Sequence, residues 1–322
     1  MALPPPLESR SAIPASRFVF IAGPTAVGKS AIAMALAGRI GGEIVSVDSM
    51  QVYLGLDLGT AKPSPDDRQR VPHHLIDLVE PNEPFDAAQF AGRARDAVAE
   101  IQQRGRFPIL CGGSGLYFKA FFEGLGEAPG ADPAVRAKLE STSLAEMLQE
   151  LEVKDPACYA RIDRNNKRRV VRALEVIRLT GKPFPAQPRR WNPNVESHPS
   201  KLLFGLTRSN DELRARIDAR VDAMFALGLI EETKHLLARG LAENKTAMQA
   251  IGYRQAVEFL RGERTLSETI ALVKLRTRQL AKRQMTWFRR QCDLDWIHLD
   301  PLCRAEEVAE QLFRRIKGDE LE

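Results

Sequence analysis

The chain has 322 residues, with 47 Lys and Arg against 42 Asp and Glu and a 44 % hydrophobic content. That length holds one large α/β domain and a smaller one, with enough apolar residues for a real core. No apolar run reaches membrane-spanning length, and four scattered cysteines (Cys111, Cys158, Cys292, Cys303) without a Cys-x-x-Cys pair argue against a disulfide framework or zinc site. A reducing, cytoplasmic setting is expected. Met1 to Ser16 is Pro-rich and lacks the apolar region of a secretory signal, so it reads as a disordered tail. Phe18 to Ala22 is a short apolar run, expected as a buried strand. A glycine-bounded turn follows from Gly23 to Ser30, then an Ala-rich helix to Ile40. Glu43 to Val47 reads as a second strand ending at Asp48. Asp86 to Arg104 has helical periodicity and stops at Gly105. Phe107 to Cys111 is a further strand ending at Gly112-Gly113. This alternation predicts an α/β, doubly wound, mostly parallel sheet.

After Tyr117 the pattern changes. Asp132 to Thr180 reads as helices without strands, and Pro183 to Pro199 as a proline-rich linker. Lys201 to Leu206 resumes a strand pattern. Helices are expected over Asp211–Leu227, Ile230–Arg239, Gln249–Leu260 and Ser267–Gln291, with a last strand at Trp296 to Leu299. The expected organisation is a tail over 1–16, a core over 17–122 and 199–315, and a helical insertion over 123–198.

The net charge of +5 is modest, but it is unevenly placed. Ten basic residues lie between Arg161 and Arg190, opposed by Asp163 and Glu175 alone. Seven more lie between Lys274 and Arg290 with no acid among them. Two such segments on a nearly neutral chain fit a localised polyanion partner, the plainer alternative being two solvated helix faces.

Gly23-Pro24-Thr25-Ala26-Val27-Gly28-Lys29-Ser30 satisfies G-x-x-x-x-G-K-[ST] between a strand and a helix, the context the motif needs. Glycines let backbone N–H groups converge on an anion, the helix N-terminus adds a positive field, Lys29 adds a charge and Ser30 a hydroxyl for magnesium. The loop names a phosphate or diphosphate ligand without naming the reaction. Asp48, at the carboxyl end of the next strand, lies where ligands of open α/β sheets bind. It can be a metal ligand, a general base or a turn cap. Ser49 and Gln51 carry donors and acceptors able to read a base edge. His73 and His74, in a polar island, are adjacent and cannot both face one site on a regular strand, so they read as structural. Gly112-Gly113-Ser114-Gly115 can either approach a ligand by its backbone or pack tightly.

Together, the blocks GPTAVGKS, DSMQVY, GTAKP, PHHLID, GGSGLY, RNNKRRVVRALE, AIGYRQ and RQLAKRQMTWFRR resemble the bacterial tRNA dimethylallyltransferases. The resemblance implies a P-loop NTPase-like core whose loop, Gly23 to Ser30 with Pro24, Ala26 and Val27, grips dimethylallyl diphosphate. It implies Asp48 as general base toward the exocyclic amine of an adenosine next to the anticodon, and Thr25 near the leaving oxygen. It implies that Arg216, with Arg220 second, helps hold the diphosphate, and that Mg2+ is used through Ser30. Contacts with the tRNA anticodon stem-loop are implied for Asp48, Ser49, Met50, Gln51, Ser114, Arg136, Asn165, Asn166, Lys167, Arg168 and Arg169. They are implied further for Gln249, Ala250, Ile251, Gly252, Tyr253 and Arg254, and for Lys282, Arg283, Gln284, Met285, Thr286, Trp287, Phe288 and Arg289. The enzyme is expected to act as a monomer. Two departures stand out: Ser114 where the family often has Thr, and Asn165-Asn166 where it often has Asn-Asp. Trp287 and Phe288 can stack on bases, but at least one is expected in the core. Three rival readings remain distinct in their chemistry. A small-molecule kinase needs a nucleotide lid, an RNA-binding switch leaves the base unchanged, and prenylation of free adenine nucleotides gives the basic segments no polyanion.

Overall fold

The computed structural model describes residues 18–124, 129–184 and 202–318. The Met1–Ser16 tail and most of the Pro183–Pro199 linker lie outside them. Six strands form one sheet: β1 (Val19–Ala22), β2 (Gly42–Val47), β3 (His73–His74), β4 (Phe107–Gly112), β5 (Leu203–Thr207) and β6 (Asp295–His298). Their order is β3-β2-β4-β1-β5-β6, and every neighbouring pair is parallel. This is the parallel, doubly wound sheet expected of the sequence. β1, β2 and β4 are buried along their whole length, as strands covered on both faces must be.

Alternation along each strand sorts side chains into two layers. Val19 and Ile21 face a core shared with Ile32 and Leu36 of α1 (Lys29–Ile40) and with Val308, Leu312 and Ile316 of α13 (Ala305–Gly318). Phe20 and Ala22 face the opposite core with Phe90 and Ile101 of α3 (Ala87–Gln103) and Phe118 of α4 (Gly115–Glu123). A short helix α2 (Pro65–Arg70) precedes β3. β3 was not expected as a strand. Its two histidines are structural: His73 Nδ1 meets the Val71 carbonyl at 2.8 Å, and His74 Nε2 meets Glu43 Oε2 at 2.7 Å. Helix α13 was also missed, although its apolar residues recur at helical spacing.

The second half of this unit contributes α9 (Asn210–Ala226), α10 (Leu229–Ala238), α11 (Tyr253–Leu260) and α12 (Leu266–Gln291). The helix expected from Gln249 to Leu260 is broken. A 3₁₀ turn covers Ala247–Gln249, and α11 starts only after Gly252, whose φ is +103°. That conformation suits glycine and interrupts a right-handed helix. Among the described residues no helix is long and apolar enough to cross a membrane.

The chain divides into two compact units, Met1–Gly124 with Arg190–Glu322, and Leu125–Arg189. The second holds α5 (Pro133–Ser141), α6 (Leu144–Lys154), α7 (Pro156–Arg161) and α8 (Lys167–Thr180) around Leu139, Met147, Leu151, Val170 and Leu174. Side chains cap its helices in series: Asp132 for α5, Ser143 for α6, Asp155 for α7 and Asn166 for α8. Capping supplies acceptors for orphan N–H groups, which gives Asn166 a role within its own unit.

Glu175 is fully buried in this unit. It accepts from Arg136 Nε at 2.8 Å, Arg172 Nη1 at 2.6 Å and the Asp132 N–H at 2.9 Å. Burial alone would raise its carboxyl, but the hydrogen bonds from Arg136, Arg172 and Asp132 outweigh it and hold it below the ordinary value. A depressed carboxyl contributes stability above the unfolded-state pKa of ~4.3 and loses it as pH falls through the folded value. Glu175→Ala is expected to cost about 2–3 kcal/mol at neutral pH, less than a fully buried pair because both guanidiniums reach water. Denaturant unfolding at pH 7 and pH 3 should show the difference between variant and parent shrink at the lower pH.

Candidate active site

The loop after β1 is built from backbone that few residues tolerate. Gly23 has φ +152°, and a Cβ there would stand 2.7 Å from the Leu206 carbonyl oxygen. Gly28 has φ +114° and opens α1 without a side-chain cap, so the first-turn N–H groups remain available to an anion. Ala26 takes φ +63° despite its side chain. Lys29 folds back over the loop, and its Nζ donates to the Pro24 carbonyl at 2.8 Å. Burial pushes the Lys29 ammonium down to about 8, opposed by Cys111 and Asp48 and reinforced by Arg220. Ser30 is exposed at the first turn of α1. Its hydroxyl suits a hard cation shared with phosphate oxygens. Among the described residues no group of three or more His, Cys, Asp or Glu could hold a metal unaided.

Three arginines meet consecutive residues of the same loop. Arg208 Nε donates to the Val27 carbonyl at 2.9 Å, Arg216 Nε to the Ala26 carbonyl at 2.9 Å, and Arg220 Nη1 to Thr25 Oγ1 at 3.3 Å. Arg216 and Arg220 lie one turn apart on α9, so they share a face. Both of the arginines expected at the loop are therefore there. Arg220 is the more enclosed, and its Nη2 also donates to the Thr60 carbonyl at 3.3 Å. Burial weakens its charged form and the Asp48 carboxylate counteracts that. Arg208 was missed by sequence reading; its spacing of eight and twelve residues before Arg216 and Arg220 was the available signal.

Asp48 stands just past β2, on the same carboxyl edge of the sheet as the loop. Its Oδ1 accepts from the Met50 N–H at 2.8 Å and the Gln51 N–H at 3.4 Å. Oδ2 has no hydrogen-bond donor among the described residues. The turn-cap role thus occupies one oxygen of the carboxylate and leaves the other open. The Ser49 N–H donates to Ser114 Oγ at 3.2 Å. Gln51 differs from expectation: Oε1 accepts from Ser46 Oγ at 2.8 Å, and Nε2 donates to the Thr60 carbonyl at 3.2 Å. Its amide braces the loop carrying Thr60, which leaves one lone pair of Oε1 without a partner.

Helix α12 closes the other side. Gln284 Oε1 accepts the Thr25 N–H at 2.8 Å, and its Nε2 donates to the Gly113 carbonyl at 3.0 Å. Expected among surface contacts, Gln284 instead ties the loop to the end of β4. A Cβ on Gly115 would stand 2.2 Å from Trp287, and one on Gly113 2.4 Å from Gln284. Those glycines are therefore close-packing positions under α12. Phe288 is buried edge-on to Phe118, with ring centroids 5.8 Å apart, so its stacking role is corrected to packing. Ala250 and Tyr253 are likewise buried. The Tyr253 hydroxyl donates to Glu232 at 2.5 Å and accepts from the Gly59 N–H at 3.0 Å. Neither side chain offers a surface for contact with RNA.

The outer face of α12 divides by charge. Lys274 pairs with Asp222 and Arg278 with Asp218, both on α9. Toward the C-terminus Lys282, Arg283, Arg289 and Arg290 are exposed with no ion pair among the described residues; Arg289 lies over the Trp296 ring at 5.9 Å. Met285 is half-buried, and Thr286 Oγ1 donates to the Lys282 carbonyl at 2.9 Å. Around α11, Gln249 Nε2 donates to the Lys245 carbonyl at 2.6 Å, Ile251 is half-buried, and Arg254 pairs with Glu258 at 3.1 Å. In the Leu125–Arg189 unit Asn165, Lys167, Arg168 and Arg169 are exposed, while Arg136 is engaged with Glu175.

Comparison with known proteins gives a consistent result. A family model described as IPP transferase matches residues 51–291, a span that begins after the phosphate loop and Asp48. A protein from Geobacter metallireducens named tRNA dimethylallyltransferase is 47 % identical over 287 residues, 88 % of this chain and 92 % of that one. One of the same name from Geobacillus thermodenitrificans is 45 % identical over 309 residues, 94 % of this chain and 96 % of its own. Among solved structures, the full-length tRNA isopentenylpyrophosphate transferase of Bacillus halodurans superposes with a TM-score of 0.67 at 39 % identity, covering 95 % of this chain and 98 % of that one. A eukaryotic dimethylallyltransferase acting on tRNA gives a TM-score of 0.74 at 28 % identity, covering 94 % of this chain and 79 % of its own.

The lowered Lys29 value makes anion binding sensitive to alkali. Above pH 8 the free loop loses the Lys29 charge, so affinity for inorganic diphosphate is expected to fall by up to about tenfold per pH unit relative to Lys29→Arg. Titration calorimetry from pH 6.5 to 9.5 on both proteins checks this; parallel profiles would remove the Lys29 assignment.

Proposed function

Because this chain belongs to the IPP transferase family, we propose that it transfers a dimethylallyl group from dimethylallyl diphosphate to the exocyclic amine (N6) of the adenosine 3′-adjacent to the anticodon in tRNAs. The products are N6-isopentenyladenosine and diphosphate. The observation that carries this reading is the free Oδ2 of Asp48 on the same sheet edge as the cation-lined loop. Asp48 is near enough to act electrostatically on both Lys29 and Arg220.

The reaction is a displacement at an allylic carbon. The amine nitrogen bonds to that carbon while the carbon–oxygen bond to diphosphate breaks, and the electron pair departs on oxygen. Donors around that growing charge supply most of the acceleration: the Ala26, Gly28, Lys29 and Ser30 N–H groups, the Lys29, Arg216 and Arg220 side chains and Thr25 Oγ1. Magnesium, held by Ser30 Oγ, would add Lewis-acid neutralisation of the diphosphate. The adenine amine is a weak nucleophile because its lone pair is delocalised into the ring. Asp48 Oδ2 accepts its proton as the new bond forms, a contribution of about 10²–10⁴-fold. Oδ1 stays fixed by the Met50 N–H, so the carboxylate presents one oxygen to the base.

A base must leave the RNA stack to reach Asp48, at a cost of a few kcal/mol. Phosphate contacts from the exposed cations of α12 and from Lys167, Arg168 and Arg169 of the helical unit, with Asn165 beside them, offset that cost. The enzyme is read as a cytoplasmic monomer.

Asp48→Asn retains an acceptor for the Met50 N–H and removes the base. Turnover is expected to fall by about 10²–10⁴-fold with tRNA affinity nearly unchanged. Mass analysis of tRNA nucleosides after incubation with dimethylallyl diphosphate and magnesium reads the product; normal turnover by this variant would remove Asp48 as base. Removing one of Lys282, Arg283 or Arg290 should lower the slope of log affinity against log salt by up to about 0.9 for each phosphate that is no longer neutralised. Filter binding of the anticodon stem-loop across 50–200 mM salt measures it, and an unchanged slope would place the phosphates elsewhere.

A further inference from the structure

Arg208 follows β5 directly and precedes α9. Its side chain is only 6 % exposed. Besides the Val27 carbonyl, its guanidinium reaches the Asp300 carbonyl at 3.0 Å and pairs with Glu212. Glu212 Oε2 is buried without any hydrogen-bond partner. A buried pair with one oxygen unsatisfied is a poor source of stability compared with apolar packing. Stability alone therefore does not account for it.

Its place against the loop supplies another role. A trans peptide is planar, with the carbonyl and the following N–H on opposite edges. Holding the Val27 carbonyl toward Arg208 turns the Gly28 N–H the other way, at the start of α1. A Cβ on Gly28 would stand 3.8 Å from Arg208 Nη2, so the guanidinium lies directly behind this peptide. We propose that Arg208 is a positioning residue for the phosphate loop, aiming the Gly28 N–H at diphosphate, and that Glu212 limits the positive field there so that diphosphate can leave. The proposal rests on reading the loop as a diphosphate site.

The fork of the guanidinium is essential to this role. It serves three acceptors in fixed directions, which a lysine ammonium cannot reproduce. Glu212 faces Arg208 and also acts on Arg216, whose charged form burial and the Arg208 charge disfavour and Glu212 favours. One carboxylate thus tempers two of the cations behind the loop.

The test is calorimetric binding of inorganic diphosphate to the full-length chain, with anticodon stem-loop affinity measured in parallel. Arg208→Lys and Arg208→Ala are each expected to weaken diphosphate binding about tenfold and leave stem-loop binding unchanged, and millimolar methylguanidinium should restore the alanine variant. Glu212→Gln keeps an acceptor for Arg208 and removes the negative charge, so diphosphate should bind several-fold tighter and dissociate more slowly. Parental diphosphate affinity in Arg208→Ala, or parallel loss of both ligands with a lowered Tm and no rescue, would overturn the proposal. So would weaker diphosphate binding by Glu212→Gln. A parent protein that binds diphosphate but forms no prenylated nucleoside would instead refute the proposed reaction and leave the loop assignment standing. A parent that binds no diphosphate would refute both.

Discussion

The peptide groups of the Gly23–Ser30 turn are polar on both edges, and the protein sets its cations against the carbonyl edge. Lys29 holds the Pro24 carbonyl, Arg216 that of Ala26 and Arg208 that of Val27. With the carbonyls occupied, an anion meets N–H groups instead of oxygen lone pairs. The arrangement also compensates for Ala26, whose left-handed φ costs energy in a residue with a side chain. It concentrates positive charge where a carboxylate alone would repel a diphosphate.

The sheet makes this possible by placing β1 and β2 on either side of β4. Their carboxyl ends then deliver the loop, Asp48 and the Gly113 turn to one edge, in keeping with the general rule for open α/β sheets. Gln284 spans two of these ends from α12. Tyr253 and Glu232 brace the Gly59–Thr60 segment from behind, and the Thr60 carbonyl in turn accepts from both Arg220 and Gln51. Arg220 at the loop and Gln51 beside Asp48 are thus connected through one backbone oxygen.

Much of this was legible in the sequence, because the signals were local. The strand–turn–helix around the loop, the acid after β2 and the glycine stop at Gly105 are all written in neighbouring residues. The parts that were not legible depend on partners far along the chain. Nothing near Gln284 indicates that its amide reaches Thr25, and nothing near Gly115 indicates the ring of Trp287. Tyr253, Ala250 and Phe288 sit in motif blocks that suggest surface chemistry, yet burial assigns their side chains to packing. Gln51 has the donors and acceptors to read a base, but its Nε2 is turned to Thr60 and its Oε1 already accepts from Ser46. Arg208 escaped notice because it lies outside the helix that carries Arg216 and Arg220. A motif marks where several constraints coincide, and a single sequence does not separate those that touch a ligand from those that hold the ones that do.

The tether on Asp48 Oδ1 has a geometric corollary. With one oxygen pinned to backbone N–H groups, the carboxylate cannot spin about its own axis, so the lone pairs of Oδ2 keep a fixed bearing. In the proposed transfer, an approaching amine comes in along that bearing. A glutamate at the same site would carry the same charge on a longer, freer arm and lose that direction. The short side chain acts as a compass needle whose pivot is the turn that follows β2.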